Sequence, residues 1–276
     1  MKISKVINNN IVSSVDEDGR EIVVMGRGIG FKVREGAEIP AERIEKIFRL
    51  EGEDVLDRFK DLLSRMPLEH IKISDEIISY GKKVLNKPLN QNIYITLMDH
   101  INFAIERFQR NMMFPNPLAR EVRSIYREEY LIGEYAVALI QRSLNIDFPA
   151  DEAVSIALHI VNAEYNTAMR DTIHITELIQ QVLGIVAEYF NFLPDERSLN
   201  YDRFITHLKF LAQRIYSGEL LDSDVPELSS MISKAYPEEY ICGQKIQHFI
   251  EENYGHEVSD EEVAYLAVHI KRMRTV

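Results

Sequence analysis

The chain has 276 residues, 46% hydrophobic and 28% charged, with a formal charge of −12 and one cysteine. That length suits two or three domains, and a lone Cys242 excludes an intrachain disulfide framework and a thiolate metal cluster. The acidic balance argues against broad, nonspecific nucleic-acid binding. With no run of about 18 apolar residues and no signal-peptide pattern in MKISKVINNN, a cytoplasmic protein without membrane insertion is expected.

Residues 1–50 differ in texture from the rest. Five of the twelve glycines lie in the first 36 residues, so turns are dense there. KISKVI, IVSSV and REIVVM are short β-branched runs with period-2 character. Asn8-Asn9-Asn10 separates the first two, and Asp18-Gly19 the next two; these residues tolerate the left-handed backbone of tight hairpins. GFKV (30–33) reads as a fourth strand, and ERIEKIFRL as a returning strand or short helix. The prediction is a small antiparallel sheet. About 55 residues bury little surface, so a dimer is expected. Within residues 1–34, Lys2, Lys5, Arg20, Arg27, Lys32 and Arg34 outnumber Asp16, Glu17, Asp18 and Glu21, so any nucleic-acid contact belongs here.

From about Glu53 the pattern is helical. Ser74, followed by Asp75 and Glu76, reads as the cap of a helix through EIISYGKKVL that Lys87-Pro88 ends. Ile93, Leu97, Ile101, Ala104 and Phe108 mark one buried helical face, bordered by His100. Pro149 opens the segment carrying His159 among Ile156, Ile160 and Ala163. Ser259 and Glu262 have the spacing of a reciprocal capping box before the His269 helix.

A duplication runs through this helical part. MDHINFAIER places Phe103 and Arg107 one and two turns after His100, and THLKFLAQR places Phe210 and Arg214 likewise after His207. DEAVSIALHI ends near His159 and EEVAYLAVHI near His269; the copies are offset by 107 residues (207 − 100) and 110 residues (269 − 159). The predicted architecture is a small antiparallel β-sheet domain, 1–55, followed by two homologous all-α helical bundles, 57–170 and 171–276.

A histidine beside an apolar stripe is usually a satisfied core residue, but four at matched places point to a shared task. His70, His174, His248 and His256 have no such correspondence and read as ordinary residues. Metal binding lacks H-E-x-x-H or CxxC spacing, and neither a metal nor another cofactor is expected. No serine or cysteine sits in a nucleophile-elbow context. Phosphate chemistry remains, because a neutral imidazole is a good nucleophile near pH 7. Arg107 and Arg214, about 10.5 Å further along their helices, either guide a phosphoryl group or pair with a carboxylate; spacing leaves both readings open.

These segments resemble one family closely. KISKVINNNIV followed by VVMGRGIGF looks like the RNA-binding, co-antiterminator domain of the BglG/SacY/LicT bacterial transcriptional antiterminators. DHINFAI, ALHIVNAE and THLKF look like signatures of its paired phosphotransferase-system regulation domains, and the resemblance covers essentially the whole chain. It implies a homodimer that binds a leader-mRNA hairpin, the ribonucleic antiterminator, and so prevents a terminator stem. Phosphorylation of His100 and His159 by a sugar-specific enzyme II permease would switch the protein off. Phosphorylation of His207 and His269 by the carrier protein HPr would favour the active dimer. It further implies a phosphate acceptor and not an enzyme, with an aryl-β-glucoside as the sugar signal.

On the same resemblance Phe31 is the ring expected to stack on an exposed base. Asn8 and Asn10 offer amides to base edges, Lys5 and Arg27 meet phosphates, and Gly26 and Gly28 allow close approach of the backbone. Read without it, the asparagines simply form a turn, as Asn9 does, and Phe31 belongs to a small core. Two other functions are weaker fits. A DNA-binding activator would begin with a helix-turn-helix, whereas this start reads as β; a phosphocarrier enzyme would need an acceptor pocket that no motif supplies.

Overall fold

The computed structural model describes residues 1–217 and 226–275. The chain forms two compact units, Met1–Thr167 and Ala168–Val276. Among the described residues a four-stranded antiparallel sheet is followed by eleven α-helices.

In the first unit the strands are β1 (Ile3–Asn8), β2 (Ile11–Val15), β3 (Glu21–Met25) and β4 (Lys46–Phe48), hydrogen-bonded in sequence order. Asn9 and Asn10 turn β1 into β2, and Gly19 at φ 79° helps turn β2 into β3. A short 3-10 helix, Ala41–Arg43, precedes β4, so ERIEKIFRL contains both a short helix and a strand. GFKV is not a strand. Residues 27–32 are successive turns, because Gly28 and Lys32 both have left-handed φ, of 69° and 56°; ladder pairing needs extended backbone.

Both faces of this sheet are buried. Val12, Ile22 and Val24 pack with Ile3, Ile29 and Ile39 on one side. Ile11, Val23, Met25 and Phe48 pack on the other into the core of the helices that follow. Period-2 alternation therefore yields two apolar layers, and the second is roofed by helix α1 (Glu53–Arg65). The burial that 55 residues lack on their own is thus supplied within the chain. Phe48 meets Phe59 and Tyr94 edge-on, with ring centroids 5.1 and 5.5 Å away. Lys46 forms an ion pair with Asp75 at 2.8 Å and Lys72 one with Glu45 at 2.6 Å, fixing the sheet's margin to α2 (Leu68–Leu85).

The boundary drawn at residues 55–57 falls inside the first turn of α1. Ser74 is not a cap: α2 begins directly after Pro67, and the Ser74 hydroxyl donates to the His70 carbonyl one turn back. Proline sets φ without needing a donor, which suits a helix start. The first unit continues with α3 (Ile93–Gln109), α4 (Ala119–Ile125), α5 (Arg127–Leu144) and α6 (Glu152–Tyr165).

The second unit repeats that order with α7 (Met169–Phe190), α8 (Leu199–Ser217), α9 (Pro226–Ala235), α10 (Pro237–Tyr254) and α11 (Asp260–Arg274). Asn86, Asn145, Asn166 and Asn191 end α2, α5, α6 and α7 in the left-handed conformation, as asparagine readily does. In each unit a glycine lets two helices touch. A Cβ on Gly133 of α5 would stand 2.1 Å from the Ala153 carbonyl oxygen of α6, and one on Gly243 of α10 would stand 3.0 Å from that of Val263 on α11.

Candidate nucleic-acid interface and paired histidine clusters

The β1–β2 turn and the loop after β3 are knitted together. Gly26 N–H donates to the Asn10 carbonyl at 3.0 Å, and Gly30 N–H to that of Asn9 at 3.0 Å. Gly28 N–H donates to Asn10 Oδ1 at 2.9 Å. Lys5, Arg27 and Phe31 are exposed along this rim, while Asn8 and Asn10 are half-buried. Phe31 is 53% exposed, with Lys32 Nζ 5.3 Å from its ring centre, so the reading of Phe31 as a core residue does not hold.

The glycines differ from one another. Gly26 is buried, and a Cβ there would stand 1.8 Å from the Arg43 carbonyl oxygen, so its missing side chain serves the protein's own packing. Gly28 has open space around it and φ 69°, a conformation glycine adopts at little cost.

The first histidine cluster lies between α3 and α6, on packed faces that the i, i+3, i+4 stripe produces. The His100 and His159 rings approach to 4.7 Å between centroids. Arg107 Nη2 donates to Glu152 Oε1 at 2.6 Å, and the other oxygen, Oε2, lies 3.2 Å from His100 Nε2. That last pair is close without being aligned as a hydrogen bond, since both atoms are buried and lack a partner.

Between α8 and α11 the same arrangement recurs. Arg214 bonds Glu262 Oε1, and Glu262 Oε2 lies 3.5 Å from His207 Nε2. The His207 and His269 rings stack at 4.9 Å. Burial foremost, and then His100, pushes His159 down to about 3. His207 is likewise pushed down to about 3 by burial, then by His269 and Arg214. His269 is lowered by burial and by Arg272 and Arg203. Glu262 is raised by burial against the opposing pull of Arg214. At neutral pH these three rings are therefore uncharged.

The two glutamates were not singled out from the sequence. A signal existed: Glu152 and Glu262 stand seven residues before His159 and His269, in step with the 110-residue offset. In the sequence Glu262 has the spacing of half a capping box. The Ser259 hydroxyl does accept the Glu262 N–H at 3.2 Å, but the Glu262 carboxylate turns away to Arg214. Both arginines are thus seated on carboxylates.

Beside the rings, Phe103 and Phe210 are 57% and 51% exposed, and an open cavity lined by Leu199, Arg203, Phe210, His207 and His269 leads to the second pair. Cys242 is buried, and its thiol is pushed up to about 12 by burial, so it is no nucleophile at neutral pH. Among the described residues no group of three or more His, Cys, Asp or Glu side chains is placed to hold a metal ion.

A sheet with a basic, aromatic rim, followed by two copies of a histidine-paired helical module, defines a class of modular regulator. The CAT RNA binding domain family matches residues 1–56, and the PRD domain family matches 75–163 and again 175–273. The transcription antiterminator LicT of Bacillus subtilis is 45% identical over 273 residues, covering 99% of each chain. The beta-glucoside operon antiterminator of Dickeya chrysanthemi is 41% identical over 275 residues, covering 100% of this chain and 97% of the relative. A crystal structure of GlcT CAT-PRDI superposes with a TM-score of 0.53 at 34% identity, covering 59% of this chain and 97% of that one. The chain belongs to the BglG/SacY/LicT family of transcriptional antiterminators.

Proposed function

We propose that this protein is a sugar-responsive antiterminator of a β-glucoside operon. As a cytoplasmic homodimer it grips a leader-RNA hairpin with the rim of its sheet, under control of phosphate placed on His100, His159, His207 and His269. It accepts phosphate and is not itself an enzyme. The observation that carries the reading is the duplicated geometry of orphaned atoms. In both copies the first histidine's Nε2, the second's Nδ1 and a glutamate Oε2 are buried without a hydrogen bond. Buried polar atoms are ordinarily satisfied, and exceptions arranged alike twice mark a site held ready for chemistry.

Phosphorylation would bring a charge of about −1.5 to −2 to a ring beside a buried carboxylate. The Arg–Glu pair must then open, and a freed guanidinium is the natural partner for the phosphoryl group. That exchange alters how α3 meets α6, or α8 meets α11, which is the differential interaction a two-state switch requires. The first module answers to an enzyme II permease and the second to HPr. At the other end, Phe31 stacks on an unpaired base, Asn10 presents its amide, and Lys5 and Arg27 meet phosphates.

The test is to incubate the full chain with phosphoenolpyruvate, enzyme I and HPr, map the phosphohistidines by mass spectrometry, and measure hairpin-RNA binding against salt. Stoichiometric labelling of His207 and His269, with affinity falling steeply as salt rises, is the expected outcome. No label on any of the four rings, or no RNA binding at low salt, refutes the reading.

A further inference from the structure

The last turn of α1 leaves a backbone acceptor without its ordinary donor. Leu63 O would accept from the N–H of residue 67 were the helix to continue, but Met66 is already extended (ψ 140°) and residue 67 is Pro67, which has no N–H. The vacancy is filled from the sheet: Asn8 Nδ2 donates to Leu63 O at 3.0 Å, across 55 residues of sequence. The other half of the same amide points into the turn, where Asn8 Oδ1 accepts the Asn10 N–H at 2.8 Å. Asn10 Oδ1 in turn accepts the Gly28 N–H at 2.9 Å, in the loop that presents Arg27 and Phe31.

We infer that Asn8 is a positioning residue: its amide couples the end of α1 to the RNA-facing loops rather than reading a base. This deepens the RNA-binding reading and rests on it. Leu63 itself is fully buried in the core that α1 shares with α2 and α3, so a displacement of that core reaches Asn10 and Gly28 through two side-chain amides. One N–H and one oxygen lone pair of the Asn8 amide are engaged inside the protein, at opposite ends of the same planar group, so the amide is fixed between α1 and the turn.

Asn8→Asp severs one arm only. It keeps the acceptor for Asn10 N–H but sets an oxygen against the Leu63 carbonyl. Hydrogen exchange and hairpin-RNA affinity would be measured on the full-length wild type and on N8D, with N8A as a second variant that cuts both arms. The expected result is faster exchange at α1's last turn and at the Asn10 and Gly28 amides in N8D without RNA, with affinity down about five- to tenfold. In the wild type, RNA should slow exchange at Ser64–Met66, and in N8D it should not. Wild-type exchange at Asn10 and Gly28 in both variants, or wild-type RNA affinity in N8A, overturns the coupling. Lost affinity with undisturbed exchange makes Asn8 a direct contact and also overturns it. A wild type that ignores the hairpin refutes the RNA-binding reading, and is recognised by that result alone.

Discussion

Arg107 Nη2 stands 2.6 Å from Glu152 Oε1, and the carboxylate it holds is only 5% exposed. Removing the cation strands a charge in a place that cannot hydrate it. Arg107→Met should therefore destabilise the first unit by about 3–5 kcal/mol. Adding Glu152→Gln to that variant should recover a large part of the loss. Calorimetric melting of the single and double variants checks the order.

Acid should loosen both histidine clusters. His159 and His207 titrate near 3 in the folded chain against about 6.5 unfolded. Between those values the unfolded chain binds protons the folded one refuses, so stability is complete above about 6.5 and falls as pH drops toward 3. Each ring contributes up to about 1.4 kcal/mol per pH unit within that window. Urea midpoints of wild type, His159→Asn and His207→Asn should diverge in slope below about pH 6.5, with each variant flatter than the wild type.

A methyl group on Gly133 would meet backbone at 2.1 Å, and one on Gly243 would meet it at 3.0 Å. Gly133→Ala must force α5 away from α6, and should cost about 2–3 kcal/mol or more. Gly243→Ala needs only a small adjustment and should cost less. Denaturant titrations of the two variants give the ranking.

Phe31 carries no core, so Phe31→Ala should leave the melting temperature nearly unchanged, within about 0.5 kcal/mol. If the ring stacks on a base, hairpin affinity should fall by about 1–3 kcal/mol, and Phe31→Tyr should retain most of it. A filter-binding titration beside a thermal melt separates the two effects.

Much of the architecture could be read from residue order because it is local and repeated. The Asn-rich turn, the buried stripe of α3 and the duplicated histidines all lie within one or two turns of their signals. What escaped depended on distant backbone. GFKV has the composition of a strand, but Gly30 is pressed against the Asn8 carbonyl, where a Cβ would stand at 2.1 Å, and the chain must curl there. Ser74 looks like a cap until Pro67, seven residues earlier, is given its due as the helix start. The glutamates were hidden because a carboxylate at a helix's beginning usually serves the dipole; only the packing of α3 on α6 and of α8 on α11 shows them reaching across.

The roof that α1 lays over Ile11, Val23, Met25 and Phe48 has a consequence for any shortened form of the chain. Cut away beyond β4, the little sheet would be left with an oily underside open to water. Its cheapest remedy would be a second such plate laid face to face, so a clipped fragment should sediment as a pair joined through that underside.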